Sequence, residues 1–196
     1  YNSFTNLKTK EDKMKNILLL SSSVALATLL FIGCGIKTTE YNVSADNVQT
    51  LRSYQDVKLS VSDFTATNKG ESSVMCRLAE TVSTPKGEPF SQYIKDALIS
   101  ELKMAGNYDV NSDLKISGNL NKIYGSTMFG NAYWEVNVTI TSSNGKSLTV
   151  NTKRDYPSSY LASTACNNMG TSFAPTIKQL IGDIVNHKDF ATLLKN

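Results

Sequence analysis

Apolar and polar positions along this chain switch between a period of two and a period near 3.6, and the switches divide it into elements. Val57, Leu59 and Val61 alternate with Lys58, Ser60 and Ser62, the pattern of a half-buried strand, which ends near Phe64. The segment Thr65 to Glu88 is polar and contains Asn68-Lys69-Gly70 and Pro85-Lys86-Gly87, so it reads as a long loop. Pro89 suits the first turn of a helix, where an N–H would have no intrahelical partner. Phe90, Ile94, Ala97, Leu98, Leu102 and Ala105 then share one helical face, and Gly106 stops the helix. Leu114, Ile116 and Leu120 mark a second strand with Gly118 as a bulge candidate, Trp134, Val136, Val138 and Ile140 a third, and Leu148 and Val150 a fourth. Ile177, Leu180, Ile181, Ile184 and Val185 form the apolar stripe of a last helix beginning near Pro175, followed by a short helical tail carrying Phe190, Leu193 and Leu194.

The turn between the third and fourth strands contains Ser142-Ser143-Asn144-Gly145, and its register follows from the side-chain period. A two-residue Asn144-Gly145 loop would place Val136, Val138 and Ile140 on the face opposite Leu148 and Val150. A three-residue loop with Gly145 in the left-handed conformation sets Ile140 against Leu148 and Val138 against Val150. One apolar face survives only in the second case, so the bulged form is predicted.

The order is strand, helix, three strands, helix. Two amphipathic helices over one face of a mostly antiparallel sheet of about four strands make an α+β two-layer sandwich. If the first helix links parallel neighbours, a right-handed crossover is expected. Gly35 to Gln55 is rich in Thr38, Thr39, Asn42, Ser44, Asp46 and Asn47. It reads as a polar tether over 34–55, with at most a short strand near Tyr41 to Val43, ahead of a single domain at 56–196.

A different pattern occupies the N-terminal region. The run Ile17 to Ile32 is almost wholly apolar or small, follows Met14-Lys15-Asn16 and stops at Gly33-Cys34-Gly35. At roughly 16 residues it is short for a transmembrane helix and suits the apolar core of a signal peptide over 14–33. Phe31-Ile32-Gly33-Cys34 resembles the lipobox of bacterial lipoproteins, with Phe31 in place of the usual Leu. That resemblance implies cleavage between Gly33 and Cys34, and a diacylglycerol and a further acyl chain such as palmitate on Cys34. Two or three chains anchor a protein to a membrane far more firmly than one, since each buried methylene contributes ~0.8 kcal/mol. Residues 1–13 precede Met14 and are expected to be an upstream extension outside the fold.

Charge changes the picture little. From Cys34 onward there are 16 Lys+Arg and 15 Asp+Glu, so the part behind the leader is near neutral. No basic run suggests nucleic acid.

Few residues offer chemistry. His187 is the only histidine; it lies just past the last helix, where an imidazole serves as a cap or surface group, and no metal site is expected. Carboxylates are scattered. Asp96 and Glu101 lack an acid/base spacing and read as solvated surface. Gly118, Gly125 and Gly130 mark turns and bulges instead of a phosphate loop. Cys76 and Cys166 leave two readings open: a structural disulfide closing a loop of roughly 90 residues, as an oxidising compartment favours, or a reactive Cys76 thiol with Arg77 lowering its pKa. Tyr124, Phe129, Tyr133, Trp134, Tyr156 and Tyr160 are expected mostly in core or cross-strand packing, with a partner-binding patch possible around Ser126 to Ala132.

With the elements placed, the chain resembles the YajG-type outer-membrane lipoproteins over Val57 to Leu194. The likeness rests on the N-terminal strand, the Phe90 to Ala105 helix ending in Ala105-Gly106-Asn107-Tyr108, the strand pair joined by Ser143-Asn144-Gly145-Lys146, and a final helix leading into Asp189-Phe190. The Thr65 to Glu88 loop and its Cys76 depart from that family. The resemblance brings no catalytic residues and no cofactor. It implies a non-enzymatic accessory or structural protein of the cell envelope, held to the membrane by lipid on Cys34 and working through contacts with an envelope protein. The alternative is a periplasmic module binding a lipid or cell-wall fragment, and that needs a closed apolar pocket between helices and sheet. Gly35 follows the cysteine where Asp would mark inner-membrane retention in enteric bacteria, so the resemblance favours the outer membrane, with the domain in the periplasm.

Overall fold

The computed structural model describes residues 35–78 and 80–195. The expected leader, including Gly33 and Cys34, lies outside the described residues. In chain order the elements are β1 (Ile36–Lys37), α1 (Ala45–Arg52), β2 (Ser60–Ala66), β3 (Ser73–Cys76), β4 (Glu80–Ser83), α2 (Phe90–Ala105), β5 (Lys115–Met128), β6 (Asn131–Ser142), β7 (Ser147–Asp155), α3 (Ala162–Val185) and α4 (Phe190–Leu193). The class is α+β, a two-layer sandwich of helices on a four-stranded sheet ordered β2-β5-β6-β7, to which a three-stranded sheet ordered β1-β4-β3 is added. β2 runs parallel to β5, with α2 lying between them in the sequence, while β5, β6 and β7 are antiparallel.

The β6–β7 hairpin has the bulged register. Ile140 faces Leu148 and Val138 faces Val150, Gly145 has φ +83°, and the Ser142 N–H donates to the Lys146 carbonyl at 2.8 Å. Burying one face of β6 from Ala132 to Ser142 selects this register.

β5 runs eight residues beyond the Leu120 where its alternation breaks off, and the reason is a bulge at Asn121 between the Leu120–Val138 and Lys122–Asn137 pairs. One extra residue reverses the phase. Ile116, Gly118 and Leu120 face the helices before it, whereas Ile123 and Gly125, opposite Val136 and Trp134, do so after it. Gly118 is therefore not the bulged residue of β5. It pairs with Phe64 beside an irregularity in β2, and a Cβ there would meet the Phe64 ring at 2.5 Å. The missing side chain is the space the ring fills.

α2 spans the predicted residues, with Pro89 at the N-cap, one position earlier than expected, and Gly106 closing it at φ +85°. α3 begins at Ala162, thirteen residues before Pro175. Ala165, Cys166, Met169, Gly170 and Phe173 extend the stripe of Ile177, Leu180 and Ile181 toward the N-terminus. Small polar residues between them hid the period. Pro175 leaves the carbonyl four residues back, that of exposed Thr171, without its helical donor, which solvent can replace at this surface.

Two polar stretches are not loops. The expected 34–55 tether holds β1 and α1, and Thr38, Asn47, Val48 and Leu51 are buried; the folded unit begins at Gly35, not at residue 56. The Thr65 to Glu88 segment contains the β3–β4 hairpin, whose turn places Arg77 and Leu78 at φ 52° and 55°. Both stretches belong to the small sheet and its surroundings. β1 adds in parallel to β4, and the absent Gly170 side chain lets Ile36 reach α3, since a Cβ there would lie 2.7 Å from Ile36 Cγ2.

Trp134, Phe90 and Phe173 fill the interior between helices and sheet. Phe173 contacts both other rings at centroid distances of 5.1–5.2 Å, and the Trp134 indole N–H donates to the Met169 carbonyl at 2.9 Å. Among the described residues no helix is long and apolar enough to cross a membrane.

Candidate functional site

Three features stand out: the fastening of the N-terminal segment, the Cys76–Cys166 junction and the uncovered face of the large sheet.

Glu101 lies on the apolar stripe of α2, on the same face as Ile94, Ala97, Leu98 and Leu102, and is fully buried. The surface reading of Glu101 is thereby overturned, whereas Asp96 is exposed as expected and accepts from the Gln92 amide. Glu101 Oε1 accepts from the Tyr41 hydroxyl, the Ser44 N–H at 2.8 Å and the Asn47 amide at 3.3 Å. Ser44 is the N-cap of α1, so an oxygen of α2 satisfies a donor at the start of α1. Asn47 also donates to the Lys178 carbonyl of α3. The Tyr93 hydroxyl donates to the Thr39 carbonyl at 2.9 Å. Burial first, and then the hydrogen bond to Glu101, push the Tyr41 phenol well above the ordinary tyrosine range. Burial, followed by the charges of Glu40 and Glu88, does the same for Tyr93. Glu101 Oε2 is buried without a hydrogen-bond partner among the described residues. This set is a fastening. The signal for it in the sequence was a glutamate at an apolar-stripe position, which hydrophobic periodicity alone overlooks.

Cys76 ends β3 and Cys166 lies in α3, not in a loop, and both are fully buried. Their sulfurs are at bonding distance, with the Cα atoms 5.8 Å apart. The junction ties the small sheet to the long helix. Arg77 does not serve a thiolate here: its guanidinium donates to the Thr127 and Ser159 carbonyls at 2.6 and 2.8 Å. His187, just beyond α3, accepts the Asp189 N–H at Nδ1, in keeping with a role at the helix end. Among the described residues no group of three or more His, Cys, Asp and Glu is placed to hold a metal ion.

The face of the large sheet turned away from the helices is polar and internally bonded. Thr65 donates to Asn119, Asn119 to Asn121, Asn121 to Asn137 and Thr139, and Asn137 to Asn151. Thr139 and Thr149 share a further hydrogen bond at 2.9 Å. The chain of amides and hydroxyls crosses all four strands, centred on the Asn121 bulge. Toward the β5–β6 turn it gives way to Lys122 paired with Glu135 at 2.7 Å, Tyr124 against Tyr133, and Lys153 above the Tyr133 ring at 4.0 Å. The hydrogen bond to Lys122 lowers the Glu135 pKa. The aromatic residues thus divide: Trp134 and Tyr156 are buried, Tyr124 and Tyr133 pair on the outer face, and Phe129 and Tyr160 are exposed.

Open clefts lie among the described residues. One of about 430 Å³ is lined by residues such as Asp46, Arg154, Lys178 and Asp183, and one of about 160 Å³ by Tyr41, Lys86, Glu88 and Tyr93.

Taken together, these features define a disulfide-tied α+β domain with a fastened N-terminal segment and one sheet face left uncovered by the described residues. No protein-family model matches the chain, and no curated protein matches it. Among solved structures it is similar to a crystal structure of a Xanthomonas campestris protein described under family model DUF330, with a TM-score of 0.47 and 13% identity over 76% of this chain and 90% of that one. No residue role is carried across that likeness.

Proposed function

We propose that the chain is a lipid-anchored lipoprotein of the bacterial envelope, held through Cys34, that works without catalysis as an accessory or structural subunit. The supporting observation is that the folded unit starts at Gly35, directly behind the lipobox cysteine. A signal peptidase cut before Cys34 would leave the whole folded unit intact, with the modified residue at its end. The YajG-type likeness of the sequence agrees with this reading, and Gly35 after the cysteine favours the outer membrane.

The uncovered face of β2-β5-β6-β7 is the surface offered to an envelope protein partner. Its Asn and Thr side chains are already ordered by one another, so docking on it would cost little side-chain entropy. The interior packed by Trp134, Phe90 and Phe173 leaves less scope for a lipid or cell-wall fragment between helices and sheet.

Radiolabelled palmitate should enter the wild-type protein and not Cys34→Ala, and wild type should fractionate with outer membranes. An unlabelled wild-type protein overturns the anchor. Crosslinking from Asn137 and Thr149 in intact envelopes should trap one defined protein, and a pattern no different from crosslinking at Val110 overturns the contact surface.

A further inference from the structure

One end of the fold carries a cluster of exposed apolar side chains from three separate segments. Leu78 at the β3–β4 turn is 93% exposed; Met128 and Phe129 stand at the β5–β6 turn, and Tyr160 and Leu161 just before α3. The segments are built together. Arg77 binds the Thr127 and Ser159 carbonyls, the Gly130 N–H donates to Ser158 Oγ at 2.9 Å, and Phe129 stacks on Tyr160 at 3.6 Å between centroids. Isolated exposed apolar residues are ordinary, but five converging at one end mark a contact site.

The start of the folded chain lies at the same end. β1 is parallel to β4 with Ile36 opposite Val82, and an ideal Cβ on Gly35 would lie 2.8 Å from Thr81 Oγ1. Moving back from Ile36 therefore leads toward the β3–β4 turn that holds Leu78. Cys34 is one peptide bond further, within about 3.8 Å of Gly35 between Cα atoms.

We infer that this apolar end is a membrane-contacting surface that seats in the interfacial layer of the bilayer holding the Cys34 lipid. The inference rests on the lipid anchor proposed above. With β1 starting at Ile36 there is no tether to hold the domain away, so acyl chains on Cys34 bring the Leu78, Phe129 and Tyr160 end against the headgroups. The chemistry suits that layer: Tyr and Phe partition to the membrane–water interface and Leu and Met to its apolar side. Arg77, the one cation among these turns, is already bound to carbonyls. Of the charges next along the paired strands, Glu80 closes the β3–β4 turn opposite Cys76, and Asp155 of β7 lies opposite Tyr133, behind the β5–β6 turn. The anchor and this end would together fix the orientation of the domain, with the large sheet standing away from the surface.

The test uses full-length, processed protein in phosphatidylethanolamine–phosphatidylglycerol vesicles, with tryptophan introduced by Phe129→Trp, Leu161→Trp or, as a control at an exposed site, Val110→Trp. Buried Trp134 gives the same background in all three. Brominated lipid should quench most of the added emission at positions 129 and 161 and leave that at 110 unchanged. Equal emission at all three, with the Cys34 lipid confirmed by mass spectrometry, overturns the membrane surface while leaving the anchor standing. A Cys34 without lipid overturns the anchor and this inference with it. In intact envelopes, crosslinks from position 129 to one defined protein, with no quenching in the vesicles, assign the end to a protein partner and overturn the proposal.

Discussion

Replacing Cys76 and Cys166 together by alanine isolates the contribution of the junction between the small sheet and α3. The bridge closes a sequence separation of 90 residues, for which loop-closure entropy gives about 4–5 kcal/mol of stabilisation. The folded unit has about 160 residues, and a domain of that size shifts by roughly 2–4 °C per kcal/mol. The double variant is expected to melt about 8–20 °C below the wild type. Because both residues are fully buried, part of any loss in the variant could come from the removed sulfurs; wild type unfolded in the presence of reductant supplies the comparison without a change of volume. Circular dichroism under both conditions, with thiol counting by mass spectrometry, gives the measurement. A melting difference under about 3 °C in both the variant and the reduced protein would refute the reasoning, since the chain-entropy term cannot be that small for so long a loop. Hydrogen exchange should loosen first in the β3–β4 hairpin, which has only β1 as a further strand in its sheet.

Glu101→Ala leaves donors from Tyr41, Ser44 and Asn47 without their acceptor, and should cost about 3–5 kcal/mol in urea unfolding; Glu101→Gln, which keeps an acceptor oxygen, should cost less than half of that, and an alanine variant within about 0.5 kcal/mol of wild type would discount the fastening. The phenols of Tyr41, Tyr93 and Tyr156 are all raised by burial. The unfolded chain therefore releases these protons at a lower pH than the folded one, and their contribution is complete below about pH 10 and lost as pH rises beyond it. Urea midpoints should fall between pH 9 and pH 11, and an ultraviolet absorbance titration of the folded protein in which Tyr41, Tyr93 and Tyr156 ionise no later than in the unfolded chain would contradict this. Gly118→Ala drives a methyl into the Phe64 ring and should cost about 1–3 kcal/mol, relieved by adding Phe64→Leu; an undiminished urea midpoint would show that the ring can move aside.

Where one face of an element is buried and its side chains are apolar, the period in the sequence was sufficient. The Phe90 to Ala105 helix, the β6–β7 register and the left-handed Gly145 followed from keeping apolar positions on one side, because any other arrangement exposes them. The cysteine pair was legible as a pair, and the Ser126 to Ala132 region as a candidate patch, though not what each would face. The fold of residues 36–55 was not legible, since its buried groups are Thr38, Asn47 and a single turn of Val48 and Leu51, whose burial depends on acceptors from Glu101 and Lys178, 54 and 131 residues away. Nor was the far half of β5, where the Asn121 bulge reverses the alternation, nor the first half of α3, where Gly170 faces Ile36 and the Met169 carbonyl accepts from Trp134.

By itself the sequence determined the near-neutral charge behind Gly33 and the sandwich of helices on a sheet, and it carries a segment that resembles a lipobox, all properties of local composition and period. Only the tertiary structure decided that no tether separates Gly35 from the domain and that Leu78, Phe129 and Tyr160 meet at the end where the chain enters. Those two facts arise from strand pairing and hydrogen bonds between residues far apart in sequence, which no local pattern records.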